Sequence, residues 1–170
     1  MPPLTIRQLS EANPKKPFDL RFSLNAIEWN AISIPITLPT PIKMTFNDQI
    51  RLNMQSNVKY KKGIYIFAIE HLFPLNLSLS YTIYIGRVTS NNTFFKRFLE
   101  YVKAIGSIGA KRNRQIMTNC WPINTNVYFF DLIDDAQIKI IEKTLIDAIV
   151  PPLNNQFYSD HARNSRSIYN

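Results

Sequence analysis

Gly63-Ile64-Tyr65-Ile66-Phe67-Ala68-Ile69 and Tyr81-Thr82-Ile83-Tyr84-Ile85-Gly86-Arg87-Val88 are the two stretches that decide the fold of this chain. In the first, Ile64, Ile66 and Ala68 alternate with Tyr65, Phe67 and Ile69, so both faces are apolar and the strand is expected to be covered on both sides. The second repeats the pattern, with Ile83 and Ile85 opposed to Tyr84 and Gly86. Between them, residues 70–80 hold Pro74, Asn76, Ser78 and Ser80 and read as an irregular hairpin loop. Two neighbouring antiparallel strands are expected, with tyrosines and glycines at their ends.

Helical patterning follows. Asn91 to Thr93 offers N-caps, and Phe94, Phe98, Tyr101 and Ile105 recur at helical spacing, which predicts a helix to about Ala104. A polar stretch around Lys111-Arg112-Asn113-Arg114 predicts a second, shorter helix, and Val127-Tyr128-Phe129-Phe130 a third strand. Asp134 with Gln137 resembles a capping box opening a last helix that Pro151 and Pro152 stop. The segment before residue 63 is rich in proline, and Ile32 to Leu38 carries apolar residues at even positions while Pro35 blocks a ladder hydrogen bond. It reads as an extended arm. One α/β core over residues 63–156 is therefore expected, with an N-terminal extension over 1–62 and a polar basic tail over 157–170.

Composition bounds the partners. The 170 residues carry 20 Lys and Arg against 12 Asp and Glu, a formal charge of +8, which favours polyanions such as nucleic acid or an anionic membrane surface. No apolar stretch is long enough to cross a bilayer, and the N-terminus lacks the apolar core of a secretory signal, so a soluble cytoplasmic protein is expected. Cys120 is the only cysteine, which excludes an internal disulfide and a thiolate zinc site.

Glu142 is the residue whose placement demands chemistry. At about 100° per residue, Ile138, Leu145, Ile146 and Ile149 share a face of the last helix with Glu142, whereas Lys139, Lys143 and Asp147 fall on the opposite side. A carboxylate on an oily face needs a cation, strong donors or a cleft rim. Arg97, at the border of the apolar face of its own helix and one turn before Tyr101, is the natural partner and can also clamp a phosphate. From Gly86 to Gln115, seven basic residues (Arg87, Lys96, Arg97, Lys103, Lys111, Arg112 and Arg114) face Glu100 alone, an electrostatic footprint suited to a phosphate backbone.

The ordered set Gly63-Ile64-Tyr65, Tyr84-Ile85-Gly86-Arg87, Lys96-Arg97 with Tyr101, Glu142, and Pro151-Pro152-Leu153-Asn154 resembles the GIY-YIG nuclease superfamily from residue 63 to about 155. The resemblance implies a small α/β sandwich around a three-stranded antiparallel sheet flanked by helices. It implies DNA endonuclease activity, with Mg²⁺ or Mn²⁺ as cofactor, giving 5′-phosphate and 3′-hydroxyl ends. By the same resemblance Glu142 is the metal ligand, Arg97 stabilises the charged phosphorane, Tyr65 is the general base and Tyr84 the second tyrosine. Tyr101 and Asn154 complete the catalytic set. Arg87, Lys96, Lys103, Lys111, Arg112 and Arg114 are the expected DNA contacts. Double-stranded DNA is the expected partner, with no membrane and with a homodimer as an option. A restriction-type enzyme is preferred over a mobile-element or repair nuclease, and over a binding module that has lost cleavage.

Overall fold

The structure, a computed structural model, describes residues 38–72, 78–105, 107 and 125–167. Four antiparallel strands, β1 (Ile42–Thr45), β2 (Gly63–Leu72), β3 (Ser78–Val88) and β4 (Thr125–Asp131), form one sheet in the order β1-β4-β2-β3. The expected α/β architecture is present with one strand more than the three that the sequence suggests. The extra strand, β1, pairs Ile42 with Phe129 and Met44 with Val127 at the far edge.

The alternation in β2 has the expected consequence of cover on both faces. Tyr65 and Phe67 enter an aromatic layer with Phe94, Phe98, Tyr101 and Phe129, while Ile64 joins Ile85, Phe130, Ile138, Leu145 and Ile146 in an aliphatic layer on the other side. Strand pairing runs well beyond the apolar stretches. Glu70 faces Ser80 and Leu72 faces Ser78 across the hairpin, so most of the segment expected as loop is paired strand, with a register shift between Phe67 and Ala68. Residues 73–77 lie outside the described chain.

Helices α1 (Ile50–Asn53), α2 (Ser56–Lys59) and α3 (Phe94–Ala104) pack on the aromatic layer, and α4 (Asp135–Ile149) on the aliphatic one. Thr93 caps α3 by accepting from the Lys96 N–H at 3.3 Å, and Asp134 caps α4 through the Ala136 N–H at 2.9 Å. Val150, in the left-handed region at φ 49°, ends α4 ahead of the two prolines. A short helix α5 (Asp160–Ser167) follows and buries Ala162.

The folded layer begins before residue 63. Phe46, Ile50, Met54 and Val58, all within the stretch assigned to an extension, are buried against Tyr65, Phe67 and Phe98. Each such side chain contributes about 1.5–3 kcal/mol when withdrawn from water, enough to bind this segment to the sheet. Residues 1–37, which hold nearly all of the expected Ile32–Leu38 arm, lie outside the described residues. So do Cys120, Lys111, Arg112 and Arg114 with the short helix expected around them. No helix among the described residues is long and apolar enough to cross a membrane.

Candidate functional site

The site is organised around β3, an edge strand with α3 on one side and α4 on the other. Both glycines of the paired tripeptides are dictated by packing. Tyr65 lies opposite Gly86 in the β2–β3 ladder, and a Cβ on Gly86 would sit 2.4 Å from the Tyr65 ring and hydroxyl. Gly63 has φ +138°, and a Cβ there would meet the Phe130 carbonyl oxygen at 2.0 Å. Tyr65 can therefore lay its ring across β3 only because residue 86 has no side chain.

On the α3 side, three groups converge. The Tyr65 hydroxyl shares a hydrogen bond with the Tyr101 hydroxyl at 3.0 Å, and Arg97 Nε donates to the Tyr65 oxygen at 3.1 Å. Arg97 Nη1 reaches Glu100 at 3.1 Å, one turn on along the same helix. The Tyr84 ring stands 6.2 Å from that of Tyr65 and is half-buried. Burial pushes the Tyr65 phenol well above the usual tyrosine range, Tyr84 adds to the rise, and the pull of Arg97 only partly offsets it. Burial likewise raises Tyr101. Tyr65 is thus a neutral, fully buried phenol, although Arg97 stands beside it as a cation able to favour a phenolate. Burial disfavours the Arg97 charge, but the facing tyrosine oxygens and Glu100 outweigh that penalty and hold it firmly protonated.

On the α4 side, Glu142 is 8% exposed, as its place on the apolar helix face predicts. Its cation is Arg87, whose Nη1 donates to Glu142 Oε2, rather than Arg97. Periodicity within one helix identifies the buried carboxylate but not which strand residue meets it. Burial raises the Glu142 carboxyl above its ordinary value, against the opposing effect of Arg87 and, more weakly, of Arg97. Arg97 therefore acts on Glu142 through the field, without a hydrogen bond between them.

Asp147, expected on the exposed side with Lys139 and Lys143, is instead buried and accepts the Tyr158 N–H at 2.7 Å. The chain beyond α4 folds back over this face, which helical spacing cannot foresee. Asn154 belongs to the same returning segment. Its amide donates to the Ile85 carbonyl at 2.8 Å and its oxygen accepts the Ile85 N–H at 2.9 Å, while the Leu153 N–H meets the Ile83 carbonyl at 3.0 Å. Asn154 thus clamps the outer edge of β3 and satisfies backbone groups that an edge strand leaves open.

Sequence patterning missed Asp135. It accepts from Ser90 N–H, from Ser90 Oγ and from Lys62 Nζ, tying the turn after Arg87 to the start of α4. Lys62 and Ser90 together lower its carboxyl from 3.8 to about 2. Its position in the first helical turn was legible, but its partners were not.

Among the described residues, no group of three His, Cys, Asp or Glu side chains gathers in the manner of a full protein metal cage. A single carboxylate nevertheless suits a hard dication that keeps most of its water and takes its remaining oxygens from substrate. Glu142 Oε2 is engaged by Arg87, and no described residue bonds Oε1, so the donor chemistry fits one such ligand. Arg87, Lys96 and Lys103 are all exposed. Compared with family models, with curated proteins and with solved structures, the chain matches none.

Proposed function

We propose that this protein is an endonuclease of the GIY-YIG type, hydrolysing DNA phosphodiester bonds with Mg²⁺ or Mn²⁺ as cofactor. The supporting observation is that Arg97 and Glu142 flank the same edge strand, each fixed from behind, and that the Arg97 charge is felt at Glu142. A scissile phosphate at the β3 edge meets a guanidinium from one side and a carboxylate from the other. Glu142 would hold the dication, which would supply positive charge for the leaving 3′ oxygen.

Arg97 stabilises the charge that develops on the non-bridging oxygens, and its orientation is set by Tyr65 and Glu100. Tyr65, fully buried and neutral, meets no solvent in the free protein, so it acts through Arg97 as a positioning residue. Tyr84 is only half-buried and is the tyrosine that substrate and the attacking water can reach. Asn154 keeps β3 in place along its outer edge. The products carry 5′-phosphate and 3′-hydroxyl ends. A restriction-type role with double-stranded cutting is the preferred form, and it requires two single-site protomers to meet on the duplex.

A second reading, a DNA-binding module without cleavage, draws on the Arg87–Glu142 pair, which already neutralises the carboxylate. Supercoiled and linear DNA incubated with Mg²⁺, or with a chelator, separates the two. Wild type is expected to nick in the presence of metal only, and Glu142→Ala to be silent. Tyr65→Phe, which leaves Arg97 Nε without its acceptor, is expected to slow cleavage by about tenfold or more. Binding without metal-dependent nicking on any DNA or RNA substrate would leave the module.

A further inference from the structure

We infer that the face formed by α1, α2 and the first turn of α3 is a second DNA-phosphate contact, centred on Arg51 and Lys59 and separate from the cleavage site. The identity of the polyanion rests on the nuclease reading above. Arg51 Nε donates to the Phe95 carbonyl at 3.0 Å, and its guanidinium lies 4.0 Å from the centre of the Phe95 ring. Lys59 Nζ stands 4.7 Å from the centre of the same ring and 5.3 Å from that of Tyr60, which is 67% exposed. Two cations are thus gathered on one aromatic ring.

Among the described residues, no carboxylate comes within ion-pair distance of either. The ion pairs there engage Lys43, Lys61, Lys62, Arg87, Arg97 and Arg163. Bringing like charges together without an anion opposes folding, and a phosphate relieves that repulsion. The Arg51 fork is also preoriented. With Nε tied to a carbonyl, its two amino groups remain for a bidentate contact to phosphate.

Helical geometry joins this face to the cleavage site. Successive residues of α3 turn by about 100°, so Lys96 stands between Phe95 and Arg97, and Lys103, seven residues on, returns to the same stripe. Lys96 and Lys103 are both exposed and, among the described residues, in no ion pair. A basic band therefore runs from Arg97, across Lys96 and Lys103, to Arg51 and Lys59. Glu100 lies within that band but is engaged by Arg97. A nucleic-acid strand cut at β3 would continue over this flank. An anionic lipid surface shares the charge requirement, but it gives no account of a band that starts at the phosphodiester site.

The test is binding without cleavage. A labelled DNA duplex is titrated with full-length Glu142→Gln protein, and with the same protein carrying Arg51→Gln and Lys59→Gln, over a range of salt. Thermal melting confirms that both are folded. The added pair of substitutions is expected to weaken binding by about tenfold or more at low salt and to reduce the slope of log affinity against log salt by about two. Lys139→Gln with Lys143→Gln, on α4, is expected to leave both unchanged. Equal affinity and slope with Arg51 and Lys59 replaced would overturn the inference, as would preferential binding of the parent to phosphatidylserine vesicles over the duplex. If wild type never cleaves while the slope still falls, the nuclease reading fails and this contact surface stands.

Discussion

On the α3 side of β3, the guanidinium of Arg97 lies among rings and hydroxyls, and its nearest carboxylate is the solvent-facing Glu100. On the α4 side, Arg87 meets Glu142 directly against an aliphatic layer. Both sides solve the problem of a charge near a core, but with different residues to spare. Neutral phenols orient Arg97 without cancelling its charge, whereas Glu142 is neutralised directly by the Arg87 guanidinium. One side is organised to present positive charge, the other to accept it.

The sharpest way to break that contrast is to remove the charges in turn. Glu142→Gln is expected to lower single-turnover cleavage by at least about 100-fold while preserving the fold by circular dichroism. Arg87→Gln acts on the same pair from the other end and leaves a buried carboxylate without its cation. A loss of about 1–3 kcal/mol in urea denaturation is expected, less than for a fully buried pair because Arg87 is partly in solvent. If Arg87→Gln is as stable as wild type, the pair does not hold the α4 side together.

Asn154→Ala tests the clamp that both sides share. It strips Ile85 of two hydrogen bonds, and a loss of about 1–3 kcal/mol is expected, with faster amide exchange at Ile85. Gly86→Ala probes the α3 side, because the added methyl must displace the Tyr65 ring. Destabilisation of about 1–3 kcal/mol is expected from urea midpoints, with the tyrosine near-ultraviolet dichroism altered.

The smallest effect concerns the turn beyond Arg87. Asp135 titrates lower in the folded protein, near 2, than its ordinary 3.8, so its stabilisation is fully present above about pH 4 and is lost as pH falls toward 2. Asp135→Asn is expected to flatten the acid limb of a stability–pH curve by lowering stability above about pH 4, with little change near pH 2. An unaltered acid limb would mean that Lys62 and Ser90 do not hold that turn.

Which parts of this arrangement were legible beforehand follows from the range of each interaction. Glu142 and the boundaries of α3 and α4 depend on neighbours within a few turns, and helical spacing places them. The double-sided cover of β2 was visible in its alternation. The hairpin is longer than expected because backbone pairing carries the ladder through the Glu70–Ser80 and Leu72–Ser78 pairs, where the polar residues beside Pro74 and Asn76 have the composition of a loop. β1 was hidden by a proline-rich setting, although Phe46, Ile50, Met54 and Val58 recur every four residues and marked a packed segment. No local pattern could choose Arg87 over Arg97 as the partner of Glu142, turn Asp147 inward or assign Asn154 to Ile85. The first depends on how α4 docks against β3, and the other two on how the chain returns after α4.

The most direct measurement is a double-mutant cycle on single-turnover DNA cleavage in Mg²⁺, using Arg97→Ala, Glu142→Gln and both together. If the two residues act on one phosphate from opposite sides of β3, each single substitution removes most of the activity and the double variant is scarcely slower than the worse single one. Cleavage by Glu142→Gln at the wild-type rate, or losses that simply multiply, would contradict a shared site.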